Sequence, residues 1–484
     1  MSPFAVVGAA FGAASLVTLL AGVVRQRLFA VYLGPSGVGF LAAATRLQDL
    51  LVTACLAGTV PGVVRAVSAA RGRAEPAVAV RAWRSATGIV LLGSLLAIVA
   101  GLAARHPIAR YLFGGDEHAW AVGAVLAGVP LLVLSAVLVA VLNGLEEFRS
   151  LVLHNAAVVA AALALVAALV PSLGLPGALW AMPAAGLLAV GLATVLARGA
   201  LRRRLQTRLT ASPAEASGGL GSVRDLLGVG GVTYADTCVG SAIGVLVGLL
   251  FVNARDIAEI GFFHAAQSAS RLYMGFLTTS VFSYLLPRLS GLGREAAVRE
   301  QNETLATLAW LVVVIAGAVV VLRSEVVLLL YGSAFRAVEP LLAIMAVGDL
   351  LHGMVWVAGA TFIPAARLRA YAATSMASHA AFVILLCLLV PRAGAPGAAL
   401  AYTLGRAASF AVVAAVQWKA GWFRLGRREL AVAGSGLALL AALALVPPAA
   451  RPAQAAGLLA LLAWAWIFRT SVVRGWPPPA ARTR

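Results

Sequence analysis

Charge, lysine and cysteine are scarce in this 484-residue chain, and each scarcity excludes a class of function. Charged residues make up 11% of the sequence against 62% hydrophobic, with a mean hydropathy of +0.96. An ordinary soluble domain does not have that balance. Lys419 is the only lysine, so the chain has no Walker-type phosphate loop and no set of amines for Schiff-base chemistry. Cys55, Cys238 and Cys387 lie far apart within apolar runs, as buried small apolar residues do. His106, His118, His154, His264, His352 and His379 show no metal-ligand spacing with Cys or carboxylates, and no metal or cofactor is expected. Acidic residues are few as well, 18 in all, and Asp116-Glu117 is the one acidic cluster between apolar runs on the outer side. It suits a solvated loop cap better than the acidic outer domain of a membrane glycosyltransferase or polymerase, so no enzyme is expected.

What the chain does have is apolar runs of a length that crosses ~30 Å of hydrocarbon. Fourteen helices are predicted, over 4–32, 38–64, 84–104, 119–143, 151–170, 177–197, 226–252, 260–286, 302–322, 341–364, 371–390, 397–418, 430–447 and 453–469. The first run starts at Phe4 without a basic leader and is expected to stay as a helix. The net charge of +19 falls mostly in alternate loops: Arg65 to Arg84, Arg198 to Arg208, Arg288 to Arg299, and Lys419 to Arg428. That is the positive-inside pattern, which predicts both termini in the cytoplasm and contact with anionic lipid, and excludes a nucleic-acid partner.

The apolar runs repeat. RHPIARYLFG (from Arg105) returns as RSEVVLLLYG (from Arg323), and LVPSLGLPGA (Leu169 to Ala178) returns as LVPRAGAPGA (Leu389 to Ala398). Two copies of six crossings each have the same orientation, so the repeat is parallel, a plan common among transporters with the substrate path at the repeat interface. The expected fold is therefore all-α and integral to a membrane: a six-helix bundle over 1–210, a second over 211–421, and two extra helices with a disordered tail over 422–484. Arg198 to Ser222 is expected to link the bundles, with room for a short amphipathic helix.

Ionisable groups inside apolar runs mark function, because each costs a few kcal/mol unless it faces protein or water. On helix eight His264, Gln267, Ser268, Arg271, Gly275 and Thr278 recur at three and four residues and form one stripe. Helix two carries Arg46, Asp49 and Thr53 on one face, and helix one carries Ser15, Thr18, Gly22 and Arg25. Helix seven has Thr233, Asp236 and Thr237 ahead of Gly240, Gly244 and Gly248 at small-xxx-small spacing. Helix ten adds Asp349, His352 and Trp356; helix eleven Ser375, Ser378 and His379; helix twelve Tyr402, Arg406 and Ser409. Together they predict a wet interior cavity with a cationic surplus, Arg25, Arg46, Arg271 and Arg406 against Asp49, Asp236 and Asp349. Such a cavity selects an anion, and phosphate fits guanidinium forks best. The structural alternative is that Arg46 and Asp49, at i and i+3, neutralise each other and stiffen their helix.

The segment RQRLFAVYLGPSGVGFLAAATRLQDLLVTACLAGTVPGVVRAVS (Arg25 to Ser68) resembles the opening of Wzx-type polysaccharide flippases, with an Arg-bearing first helix, an LGP-x-G-x-G turn and a slightly polar second helix. The resemblance extends to the PGA turns before helices six and twelve. It implies membership of the multidrug/oligosaccharidyl-lipid/polysaccharide exporter superfamily and a two-bundle machine working by alternating access. It also implies that Arg25, Arg46 and Arg271 grip a lipid pyrophosphate; Arg406 joins them on its helical stripe alone. The expected activity is translocation of an undecaprenyl-pyrophosphate-linked oligosaccharide across the inner membrane, with ion coupling through Asp49, Asp236, Asp349 or His352. A polysaccharide polymerase or export machinery is a further expected partner. The rivals are a peptidoglycan-precursor flippase, a cation-coupled multidrug exporter on the same scaffold and, from a different class, a membrane glycosyltransferase or polymerase. No acidic residue stands directly beside Arg25, which disfavours the first, and the cationic stripes disfavour the second.

Overall fold

A computed structural model describes residues 3–73, 76–206, 231–254, 256–447 and 451–473. The latter part of the expected linker and the tail lie outside these residues. Among the described residues the chain is all-α. Eight helices are long and apolar enough to cross a membrane by length and composition. Three of them, of 39, 54 and 52 residues, are long enough for two crossings each.

The paired crossings turn at glycine. Helices one and two form Pro3–Leu56, with Gly34 at φ 64°; helices five and six form Phe148–Gln206, with Gly174 at φ 59° and ψ −132°. Helices eleven and twelve form Leu368–Lys419, with Gly394 at φ 58° and ψ −135°. These backbones are strained for any residue with a Cβ, which is why each turn uses glycine. Gly174 and Gly394 are the glycines of the repeated LVP motif, and they share one conformation.

The remaining crossings are separate: helix three (Pro76–Ala103), four (Ala119–Gly144), seven (Gly231–Ala254), eight (Ile257–Ser290), nine (Arg294–Val321), ten (Val338–Gly359), thirteen (Arg427–Ala444) and fourteen (Arg451–Val473). Helix two is prolonged by Thr59–Arg73. With each paired segment counted as two, these helices number fourteen among the described residues, as predicted. The other repeated motif also keeps its shape. Arg105–Phe113 is a short helix ending at Gly114 (φ 83°) and followed by a 3-10 turn, Asp116–His118. Arg323–Leu330 is its counterpart, followed by Gly332 (φ 95°) and the 3-10 turn Ser333–Phe335.

The chain packs as two compact units, Met1–Ala258 and Glu259–Arg484. The first holds helices one to seven. Its interior is rich in Val and Ala, with Val67, Ala82, Ala86, Val129, Val133 and Ala197 all buried. Small side chains let helices approach closely where the surrounding lipid supplies no hydrophobic drive. Helix seven belongs to this unit: a Cβ on Gly248 would lie 3.5 Å from Leu112 and 4.0 Å from Ala43. The glycine seam predicted on helix seven is thus in use at Gly244 and Gly248.

The second unit holds helices eight to fourteen. The two extra helices dock on helix nine, where a Cβ on Gly317 would meet Leu461 at 2.7 Å and one on Gly436 would meet Val313 at 2.6 Å. Trp310 Nε1 donates to the Ala465 carbonyl at 3.0 Å. Of the three cysteines expected to be buried, Cys55 is; Cys238 is half-buried and Cys387 lies on the surface of helix eleven. An apolar residue facing lipid satisfies the same hydropathy pattern as one facing protein, so that pattern did not separate them.

Candidate functional site

In the first unit the predicted site residues lie on helices one, two and seven. Arg46, half-buried, runs its aliphatic stem along helix seven, where a Cβ on Gly244 would lie 3.8 Å from its Cγ. A Cβ at 244 would touch that stem at ordinary van der Waals distance, so a small residue here lets the arginine lie against helix seven. Two turns further along helix two, Thr53 Oγ1 and Ser241 Oγ share a hydrogen bond of 3.3 Å across the same pair. Tyr234 OH then donates to the Ala54 carbonyl at 3.0 Å. Asp49 is exposed on the Arg46 helix, Arg25 is exposed on helix one, and Asp236 is half-buried on helix seven. The structure therefore brings Arg46, Thr53 and helix seven together into one polar seam.

The second unit centres on Asp349 of helix ten. It is fully buried, and three hydroxyls from two other helices donate to its carboxylate. Ser270 Oγ reaches Oδ1 at 2.7 Å and Oδ2 at 2.8 Å, and Tyr273 OH donates to Oδ2. Tyr402 OH, from helix twelve, donates to Oδ1 at 2.7 Å. A carboxylate buried at this depth persists when its lone pairs are filled, and here hydroxyls do so. Arg406 rests over the Tyr402 ring at 5.2 Å and lies within Coulombic range of Asp349 and His352. His352, one turn from Asp349, packs edge-on to Trp356 at 6.0 Å. Its Nδ1 has no hydrogen-bond partner among the described residues.

The stripe predicted on helix eight is a hydrogen-bonded chain. Arg271 Nη2 donates to Ser268 Oγ at 3.0 Å, and Ser268 Oγ and His264 Nε2 are 3.3 Å apart. Arg271 itself is exposed at the end of that chain. Ser270 and Tyr273 are the residues that sequence reasoning missed. They sit on the neighbouring face of helix eight, and nothing in their own spacing reveals a carboxylate 79 and 76 residues away. Among the described residues no three His, Cys, Asp or Glu side chains gather as metal ligands. The chemistry on offer is that of guanidinium, carboxylate and hydroxyl groups.

The model of the polysaccharide biosynthesis protein family matches residues 8–292, more than half of the chain. The chain belongs to the polysaccharide biosynthesis protein family. The matched stretch carries helices one to eight, with Arg25, Arg46, Asp49, Asp236 and Arg271; Asp349 and Arg406 lie beyond it. The lipid III flippases of Escherichia coli (strain K12) and Shigella flexneri are each 27% identical to this family member over 394 residues, 81% of this chain and 92% of theirs. Among solved structures the chain is similar to the lipid II flippase MurJ in an inward closed conformation, with a TM-score of 0.74 and 14% identity over 96% of this chain and 99% of that one. It is also similar to an inward-facing multidrug resistance transporter of the MATE family, with a TM-score of 0.64 and 14% identity over 84% of this chain and 95% of that one. At such identities the likeness carries the fold, an all-α, multi-pass membrane fold shared with transporters. The family resemblance carried by Arg25 to Ser68 is thereby confirmed.

Proposed function

We propose that this family member is a flippase that moves an undecaprenyl-pyrophosphate-linked oligosaccharide across the cytoplasmic membrane by alternating access of its two repeats, for export of a cell-surface polysaccharide. The observation that carries the proposal is the likeness to lipid III flippases over most of both chains, joined to cationic side chains set within polar seams of membrane-spanning helices. Arg25, Arg46, Arg271 and Arg406 receive the pyrophosphate, since guanidinium pairs with phosphate oxygens through parallel N–H donors. The sugars pass through a wet interior path, and the prenyl chain stays in lipid. Ion coupling runs through Asp49, Asp236, Asp349 or His352; one charge crossing 100 mV supplies about 2.3 kcal/mol, enough to bias such a cycle. Both termini lie in the cytoplasm on this reading, which the basic loops support. The peptidoglycan-precursor alternative rests on a fold shared at 14% identity.

The test is transport by the purified protein in liposomes, read with a fluorescent undecaprenyl-pyrophosphate-linked oligosaccharide and an impermeant quencher. Wild type is expected to expose the probe in both leaflets, and Arg46→Ala or Arg271→Ala to slow this by about tenfold. Wild-type proteoliposomes no faster than empty ones would overturn the proposal. So would transport of a cationic dye in preference to the lipid.

A further inference from the structure

The support of Arg406 can be traced side chain by side chain to a buried carboxylate. Its guanidinium lies over the Tyr402 ring one turn earlier on helix twelve. That ring is 8% exposed and held from three directions. Its hydroxyl donates to Asp349 at 2.7 Å. Its edge fills the space above Gly348, where a Cβ would come within 2.8 Å of the ring. The next residue, Thr403, donates from Oγ1 to the Ile344 carbonyl at 2.8 Å and draws helices ten and twelve together. Asp349 is itself fixed by Ser270 and Tyr273 of helix eight. The carboxylate therefore sits at the root of a support chain running Asp349, Tyr402, Arg406.

From this geometry, and resting on the flippase reading above, we infer that Asp349 is a positioning residue that orients Arg406 toward the lipid's pyrophosphate by holding the Tyr402 ring. A flexible arginine spends binding energy on being ordered, and a fixed ring beneath its guanidinium removes part of that cost in advance. Tyr402→Phe keeps the ring under Arg406 and removes the hydroxyl, which ties the ring to Asp349 and also lies within hydrogen-bond reach of Arg406; Asp349→Asn keeps that hydroxyl and alters only its acceptor.

The experiment measures binding by the full chain in nanodiscs of two probes, undecaprenyl pyrophosphate and the uncharged undecaprenol. Arg406→Ala is expected to weaken pyrophosphate binding by about tenfold and Tyr402→Phe by about threefold, with undecaprenol binding unchanged. The double variant is expected to match Arg406→Ala alone, since a support has no effect once its load is gone. Losses that multiply in the double variant would overturn the positioning role while leaving the flippase reading intact. Equal weakening of both probes by Tyr402→Phe would also overturn it, by showing a general structural role. A wild type that does not distinguish the two probes would overturn the flippase reading, and the inference about Arg406 with it. Asp349→Asn, where it folds, is expected to follow Tyr402→Phe.

Discussion

The two copies of each repeated motif keep one backbone and have lost their common partners. Arg105 opens the first short helix from an exposed position and shares a 3.3 Å contact with the neighbouring His106. Arg323 opens the second at 3% exposure. Its Nη1 donates to the Val320 carbonyl at 2.7 Å, and its Nη2 donates to the Val446 carbonyl beyond helix thirteen. Burial draws its guanidinium below the usual arginine range, opposed by the charge of Glu339. At the other motif, Gly174 has open space where a Cβ would stand. Gly394 has the Glu259 carboxylate there, 1.8 Å from the same point, and Glu259 Oε2 accepts the Ala395 N–H at 2.6 Å. Duplication preserved the turns, and the second copy then used them to hold parts that the first unit lacks: the extra helix pair and the acidic start of helix eight.

The largest expected break in this comparison is at the arginines. Arg323→Ala should destabilise the protein by about 3 kcal/mol, because it strips two carbonyls of their donor and removes a positive charge within Coulombic range of the buried Glu339. Arg105→Ala should leave the thermal midpoint in detergent unchanged, as surface substitutions generally do. Equal shifts for the two would mean the second arginine carries no more than the first. Next come the glycines. Both Gly174→Ala and Gly394→Ala incur about 1–2 kcal/mol of left-handed backbone strain. Gly394→Ala should lose about 1.5 kcal/mol more by expelling the Glu259 carboxylate. In a Glu259→Ala background that difference should vanish; its persistence would remove Glu259 from the account.

The smallest effect concerns the aromatic contacts that the short helices receive. Phe40 stacks on Phe113 at 4.4 Å in the first unit, and Phe262 meets Phe335 edge-on at 6.0 Å in the second. Phe40 is buried and Phe262 half-buried. Phe40→Leu should therefore lower the unfolding midpoint by the equivalent of about 1 kcal/mol, and Phe262→Leu by less. The reverse order would show that ring geometry, and not burial, sets the value of these contacts.

Much of the fold was legible in the sequence. Fourteen helices and the paired turns follow from local hydropathy and from glycine and proline punctuation, whereas the short helices Arg105–Phe113 and Arg323–Leu330 were marked only as a repeated motif. The stripe of His264, Ser268 and Arg271 was legible for the same reason, since helical spacing alone sets residues three and four apart on one face. The supports of Asp349 were not. Tyr402 stood on a predicted stripe, but its hydroxyl partner lies 53 residues away on another helix. Nor did hydropathy show that helix seven packs with the first unit, although the repeat counts it with the second half.

By itself the sequence determined that this is a helical membrane protein built from a parallel repeat, with arginines at fixed positions along its spans. It could do so because hydrocarbon obliges each span to satisfy its own backbone, which makes span length, turns and orientation local properties. Only the tertiary structure decided which polar groups meet: Arg46 with the Gly244 surface, Arg323 with the end of helix thirteen, Asp349 with Ser270, Tyr273 and Tyr402. Contacts between helices depend on how each rotates and approaches its neighbours, which side-chain packing sets and no single span encodes.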